Sequence, residues 1–206
     1  ILKLENITLL GLGINTNCYG GVIPTKENLT ELIELLEKVE ETYGISLPIT
    51  SGGNSGTMYM PHDLPKGITH LRIGETILFG TESSLGGRVE NLHYDVFSVE
   101  LELIEVRRKP SKPWGQIEKN AFGEIVSFED KGDMNRGILA CGRQDLPFEK
   151  LIPLDDVELL GSSSDHIIVD LKDTGYKVGD ILTFHFTYGA LLGLTTSAYT
   201  TIEIQE

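Results

Sequence analysis

Two rhythms of apolar and polar positions divide the chain. Residues 7–14, ITLLGLGI, form an apolar run of the kind found in a strand buried on both faces, and the run breaks at the polar cluster Asn15, Thr16 and Asn17. In PTKENLTELIELLEKVEETYG, Leu29, Leu32, Ile33, Leu36 and Val39 recur at intervals of three and four while acids crowd the other face. This predicts a helix that Pro24 or Thr25 can start and Gly44 can end. SLPITSGGNS predicts a second short strand. GITHLRIGETILFGT predicts a third, with Ile68, Leu71 and Ile73 leading into a glycine-bearing turn. Strand, helix, strand and strand, each strand ending in polar or glycine-rich sequence, is the rhythm of parallel βα units. Chemistry in such folds gathers at the C-terminal ends of the strands, where residues 15–17, 51–55 and 72–75 fall.

Past residue 92 the helical spacing gives way to short alternating runs. VFSVELELIEV alternates with Val99, Leu101 and Leu103 on one face until Glu105 breaks it. RGILACG, EKLIPLDDVELLG, HIIVDL, DILTFHF and YTTIEI follow as further predicted strands, separated by turn clusters such as DTGYKVGD. The pattern predicts an α/β part over residues 1–90 and a mostly antiparallel β domain over residues 91–206, with the boundary near residues 86–92. About 90 residues of βα units cannot close an eight-fold barrel, which takes roughly 250. The opening ILKLENITLLGLG, which carries no initiator methionine, reads as the tail of one element followed by a strand. Both features raise the expectation of a piece of a longer protein.

Composition narrows the function. Of 206 residues 31 are acidic and 17 basic, a net charge of −14 that opposes nucleic acid or an anionic membrane as partner. Arg107, Arg108 and Lys109 form the one local basic cluster and read as a solvated strand end. No apolar run approaches the ~20 residues that span a bilayer. Cys18 and Cys141 are far apart and lack metal-ligand spacing, which favours a reducing cytoplasm. The histidines show neither HxH nor HxxxH spacing, so no metal site is expected. GLGINTNCYGG lacks the third glycine of a dinucleotide loop. SGGNSGTMYM, residues 51–60, admits two readings: a tight turn, or an anion site of bare backbone amides and hydroxyls.

Four stretches in order, GLGINTNCYGGVIPT, SGGNSG, LRIGETILFG, and RGILACGRQD with LGSSSDHIIVDLKDTGYKVGDILTF, resemble the C-terminal half of alanine-racemase-type, fold-type III pyridoxal-phosphate enzymes. Within that family the ornithine racemases are the most similar, and the match runs from about residue 7 to the end. The resemblance implies the last units of a (β/α)8 barrel followed by a mostly antiparallel β domain, pyridoxal 5'-phosphate as cofactor, and an amino-acid substrate. It also implies a homodimer in the complete enzyme. Asn54 and Ser55 match residues that hold the cofactor phosphate. Arg72 matches the arginine facing the pyridine nitrogen, where a guanidinium that keeps its own proton leaves that nitrogen unprotonated. Gly74 and Glu75 match residues whose backbone approaches the phosphate, and Thr196 stands near the place of a phosphate-binding tyrosine.

The resemblance also marks what this sequence lacks. Nothing matches the motif of the cofactor-anchoring lysine, which in the family lies on the first barrel strand; Lys3, Lys26, Lys38 and Lys66 lie in helical or loop contexts. The second base of alanine racemases is a tyrosine in a Gly-Tyr-Ala-Asp motif, contributed across the dimer interface. CGRQD puts Arg143 at that place and keeps Asp145 at the acidic one, and a cationic arginine is a poor base. Cys141, Asp145 or a residue of SSSDH could take the role. Ser164 and Asp165 match the family's substrate-facing Met-Asp pair, where an acid could select the second amine of a basic amino acid. The expected function is racemisation of ornithine or a similar basic amino acid, with this chain alone catalytically incomplete. A non-catalytic pyridoxal-phosphate-binding or interaction module, and a decarboxylase of the same fold type, are the alternatives.

Overall fold

Three parallel strands, β1 (Gly11–Gly13), β2 (Ile49–Asn54) and β3 (His70–Arg72), lie in that order in a computed structural model that describes residues 1–205. They belong to the first of two compact units, Ile1–Val96. Helix α1 (Lys26–Tyr43) joins β1 to β2. Thr25 caps it with a reciprocal pair of bonds, its Oγ1 accepting from the Asn28 amide while Asn28 Oδ1 accepts from the Thr25 amide. Gly44 closes it in the left-handed region at φ 62°. Leu29, Leu32 and Leu36 form its buried stripe, as the three-and-four spacing requires.

Two expectations for this unit need correction. The strand expected over residues 7–14 is only three residues long, and Ile7 and Leu10 stay exposed because β1 pairs with β2 alone. Residues after Arg72 do not continue as a strand. A short helix, α2 (Glu75–Phe79), forms there, with Thr76 and Phe79 buried on one face and Gly80 ending it at φ 64°. Residues 91–96 also fall in the first unit, where the Arg88 guanidinium stacks 3.4 Å above the Tyr94 ring.

The second unit, residues 97–206, holds a six-stranded antiparallel sheet in the order β6 (Leu151–Pro153), β9 (Ile181–Phe186), β4 (Val99–Pro110), β5 (Asp133–Leu139), β8 (Ile167–Asp170), β7 (Glu158–Ser162). Leu101, Leu103, Leu139, Leu151, Ile167, Val169, Leu182, Phe184 and Phe186 are among its buried side chains. The alternation along β4 breaks at Glu105 because the register shifts between Leu103 and Glu105, a bulge that leaves Ile104 without an opposite residue on β5. Beyond the bulge β4 and β5 run on as a ribbon, joined through an excursion over residues 111–132 that carries one bridge, Lys119 to Ile125.

This unit is mostly antiparallel β, with a helix, and one expected strand, near residue 206, does not form. Helix α3 (Tyr188–Thr196) packs through Ala190 and Leu194. YTTIEI is not a strand: Ile202 and Ile204 are exposed and without a paired neighbour, so alternation there has no sheet to join. Among the described residues no helix is long and apolar enough to cross a membrane.

Candidate functional site

Parallel pairing points the C-terminal ends of β1, β2 and β3 the same way, so the segments that follow them converge. Strand β2 runs through the glycines to Asn54, and a 3-10 turn (Ser55–Tyr59) follows. Gly53 has φ 150°, and a Cβ there would lie 2.0 Å from Thr57 Oγ1, so only glycine fits. Ser55 is 5% exposed, and its Oγ accepts the backbone N–H groups of Gly74 and Thr76, each at 3.2 Å. Two accepted bonds occupy the hydroxyl's lone pairs and leave its proton free to donate. At Gly74 a Cβ would meet nothing within 4 Å. The stretch is therefore a turn and also a place where small donors gather.

Asn54 is tied inward. Its amide nitrogen donates to Asn15 Oδ1 (3.1 Å) and Asn17 Oδ1 (2.8 Å), and its oxygen accepts from the Gly56 amide (2.8 Å). Asn17 donates onward to Ser83 and Ser84 Oγ, and the Ser84 hydroxyl donates to the Gly56 carbonyl. Arg72, the last residue of β3, reaches across the sheet: Nη1 donates to Ser51 Oγ within β2 and Nη2 to the Ile14 carbonyl just past β1 (2.8 Å). Ser51 Oγ also meets His70 Nδ1 at 2.7 Å. Glu75 leaves only its backbone near Ser55, since its carboxylate accepts from Thr81 Oγ1 at 3.2 Å. Burial pushes the Glu75 carboxyl above its ordinary range, and the nearby Glu82 charge adds to this.

Sequence reading missed Glu82, Ser83 and Ser84. Glu82 is 3% exposed, and its carboxylate accepts the amides of Ser84, Leu85 and Gly87, fixing the loop that carries Ser84 to Asn17. Nothing local signals this, because Asn17 and Ser84 lie 67 positions apart.

The expected residues of the β unit have separate fates. Arg143 is bound on several sides, with Nη1 3.5 Å from Glu124, Nη2 3.6 Å from Glu149, Nε donating to Ser162 Oγ (3.2 Å), and its guanidinium 4.2 Å from the Phe122 ring centre. Asp145 is 5% exposed and accepts from Ser197 Oγ (2.6 Å) and the Gly142 amide (3.3 Å). Cys141 is buried, and burial together with the Asp145 charge pushes its thiol up to about 12, which removes it as a nucleophile or base near neutrality. Asp165 is exposed in the turn between β7 and β8. Thr196 ends α3, its hydroxyl donating to the Leu192 carbonyl at 2.6 Å. Lys26 is exposed and paired with Asp63. Among the described residues no group of three or more His, Cys, Asp or Glu side chains could hold a metal.

The Ser55 hydroxyl, the open space over Gly74, and Arg72, whose backbone pairs with Asn54, all belong to the ends of β2 and β3. No family model matches the chain. It is 47% identical over 204 residues to a curated ornithine racemase of Acetoanaerobium sticklandii, covering 97% of this chain and 58% of the relative. It is 41% identical over 203 residues to a lysine racemase of Thermotoga maritima, covering 97% and 57%. The chain thus spans somewhat over half the length of these relatives. Among solved structures, alanine racemase of Clostridium difficile in complex with cycloserine aligns at a TM-score of 0.56 and 18% identity, over 89% of this chain and 49% of that one. Alanine racemase of Bartonella henselae with covalently bound pyridoxal phosphate aligns at 0.51 and 17%, over 93% and 52%. The chain is thus similar along nearly all of its length to part of the ornithine and lysine racemases, and it shares the fold of the alanine racemases.

Proposed function

We propose that this chain forms part of a pyridoxal-phosphate-dependent racemase of basic amino acids, ornithine or lysine, acting in the cytoplasm as a homodimer. The observation that carries the cofactor reading is Ser55, whose hydroxyl is fixed by the Gly74 and Thr76 amides with its proton left to donate. The names of the two curated relatives supply the substrate class. When bound, pyridoxal phosphate supplies an electron-withdrawing ring that makes the Cα proton of an amino acid removable. Ser55 would hold the phosphate with its remaining hydroxyl proton, over the open space at Gly74, whose own N–H is taken by Ser55, while Asn54 fixes the loop rather than the ligand. Arg72, which keeps its own proton, would leave a ring nitrogen facing it unprotonated and so limit how far negative charge spreads. The cofactor-anchoring lysine would come from outside residues 1–206, in the eight-fold barrel whose last units the first unit represents.

The non-catalytic reading has one observation in its favour: Arg143 and Asp145, at the places of the second base, are both engaged in structural contacts. A single experiment separates the two. The full-length protein is loaded with pyridoxal phosphate and reduced with borohydride, its cofactor-bearing peptide is mapped, and L-ornithine and L-lysine are followed by chiral chromatography and carbon dioxide release. Interconversion of enantiomers with the cofactor on a lysine outside this chain is expected. Cofactor uptake without racemisation would establish the binding module instead, carbon dioxide release would establish a decarboxylase, and cofactor on a lysine of residues 1–206 would overturn the site assignment.

A further inference from the structure

Ser51 stands in the middle of a row that crosses the three parallel strands, opposite Gly13 on β1 and His70 on β3. Opposite residues of a parallel sheet share a face, and alternation along β3 puts Arg72 on the same face as His70. Gly13 leaves that face bare: a Cβ there would lie 3.1 Å from Ser51 Cβ and 3.6 Å from Arg72 Nη1. The Arg72 guanidinium lies alongside and reaches Ser51 Oγ and the Ile14 carbonyl.

Ser51 is 8% exposed, and its Oγ has two partners, Arg72 Nη1 and, at 2.7 Å, His70 Nδ1. A guanidinium only donates, so Oγ is the acceptor toward Arg72. The hydroxyl proton then goes to the Nδ1 lone pair. Were Nδ1–H the donor instead, that proton would lack an acceptor in a nearly buried position. The bonding pattern therefore assigns the Nε2–H tautomer to His70 and one direction to the chain of donors, from Arg72 to Ser51 to His70. A hydroxyl that donates is a stronger acceptor, so each bond strengthens the other.

We propose that His70 is a positioning residue for Arg72: by accepting the Ser51 proton at Nδ1 it turns a Ser51 lone pair toward the guanidinium and holds it at the ends of the strands. Without that acceptor the hydroxyl rotates to find another. Arg72 then keeps the Ile14 carbonyl and a long contact to the Ser51 carbonyl at 3.5 Å. This brace lies wholly in the first unit and needs no ligand. Its consequence, a guanidinium held for a cofactor ring nitrogen, rests on the racemase reading.

The test uses the full-length protein, first free of cofactor and then loaded with pyridoxal phosphate isotope-labelled at the ring nitrogen. His70 is exposed on β3, so His70→Phe, which keeps a ring but no acceptor, is expected to fold normally. His70→Asn restores an acceptor oxygen in place of Nδ1. In the cofactor-free protein, at mildly alkaline pH where an imidazole is neutral, nitrogen NMR is expected to show Nδ1 of His70 unprotonated. The two Arg72 Nη groups are expected as separate signals, the mark of hindered rotation. His70→Phe is expected to merge them and His70→Asn to keep them apart. In the loaded protein the ring-nitrogen signal is expected to shift in His70→Phe and to return in His70→Asn. Turnover of ornithine in His70→Phe is expected to lose about tenfold in kcat with KM changed less than about twofold. A protonated Nδ1, or Arg72 signals that His70→Phe leaves unmoved, would overturn the inference whether or not the protein racemises ornithine. Arg72 signals that respond to His70→Phe beside a ring-nitrogen signal that does not would leave the brace standing and overturn the placing of Arg72 against the cofactor.

Discussion

Asp145→Ala is the substitution that most directly separates a structural acid from a catalytic one. The carboxylate is 5% exposed, and among the described residues no cation lies within ion-pair distance of it. Its partners are the Ser197 hydroxyl at 2.6 Å, the Gly142 amide at 3.3 Å and the Cys141 thiol, so it joins the turn after β5 to the end of α3. The approach is close enough that a Cβ on Gly193 would lie 2.2 Å from the Asp145 carbonyl oxygen. Truncation to alanine leaves the buried Gly142 N–H without its acceptor, a loss of about 1–3 kcal/mol. Ser197 is only partly buried and can turn to water, so its share is smaller. Release of a buried charge offsets part of the loss. The expected destabilisation is about 2 kcal/mol for Asp145→Ala and about 1 kcal/mol for Asp145→Asn, which keeps an acceptor.

A second readout comes from Cys141, whose thiol is pushed up to about 12 by burial first and the Asp145 charge second. Removing that charge lowers the value while burial still holds it above the ordinary range. The assays are urea unfolding of the full-length protein and the pH profile of Cys141 alkylation in a Cys18→Ser background. A midpoint equivalent to less than about 0.5 kcal/mol of change, together with an unmoved alkylation profile, would refute the reasoning.

Three further outcomes follow from the first unit. Gly53→Ala places a Cβ 2.0 Å from Thr57 Oγ1 at φ 150°, and is expected to destabilise by about 2 kcal/mol or more in urea unfolding. Ser55→Ala removes the acceptor shared by the Gly74 and Thr76 amides and the donor proposed for phosphate; absorbance titration with pyridoxal phosphate is expected to show about tenfold weaker binding, and unchanged affinity would remove Ser55 from the site. Glu75 is raised by burial, so the folded chain holds its proton more tightly than the unfolded chain does. Stability therefore falls as pH rises from the ordinary carboxylate value through the raised one, and the penalty is full above it. Glu75→Gln is expected to raise the melting temperature at neutral pH and to lose that gain near about pH 4; an equal gain at both would contradict the assignment.

What the sequence made legible is what local physics decides. Helix α1 carries its apolar stripe, its cap and its terminating glycine within 20 consecutive positions, so its limits follow from spacing alone. Helix α3 carries no such contrast: YGALLGLTT is apolar on most sides and holds two glycines, so no periodic face distinguishes it from a strand or loop. YTTIEI errs the other way, since alternation is a strand only where a neighbour accepts its hydrogen bonds.

The same division governs the candidate site. Ser55 is legible because glycine and serine crowd after an apolar strand, whereas its partners Gly74 and Thr76 reach it only through parallel pairing 19 and 21 positions away. Acids are the hardest to read. Asp145 and Asp165 sit beside motifs and in sequence each has the form of a catalytic or substrate-binding carboxylate, whereas Glu82 carries no such sign. In the fold, Glu82 gathers three amides of one loop and Asp145 bridges a turn to a helix end, while Asp165 stays in solvent. A carboxylate that accepts backbone N–H groups and one that binds a substrate amine need the same side chain at the same kind of position. The difference lies in which donors the rest of the chain delivers to it.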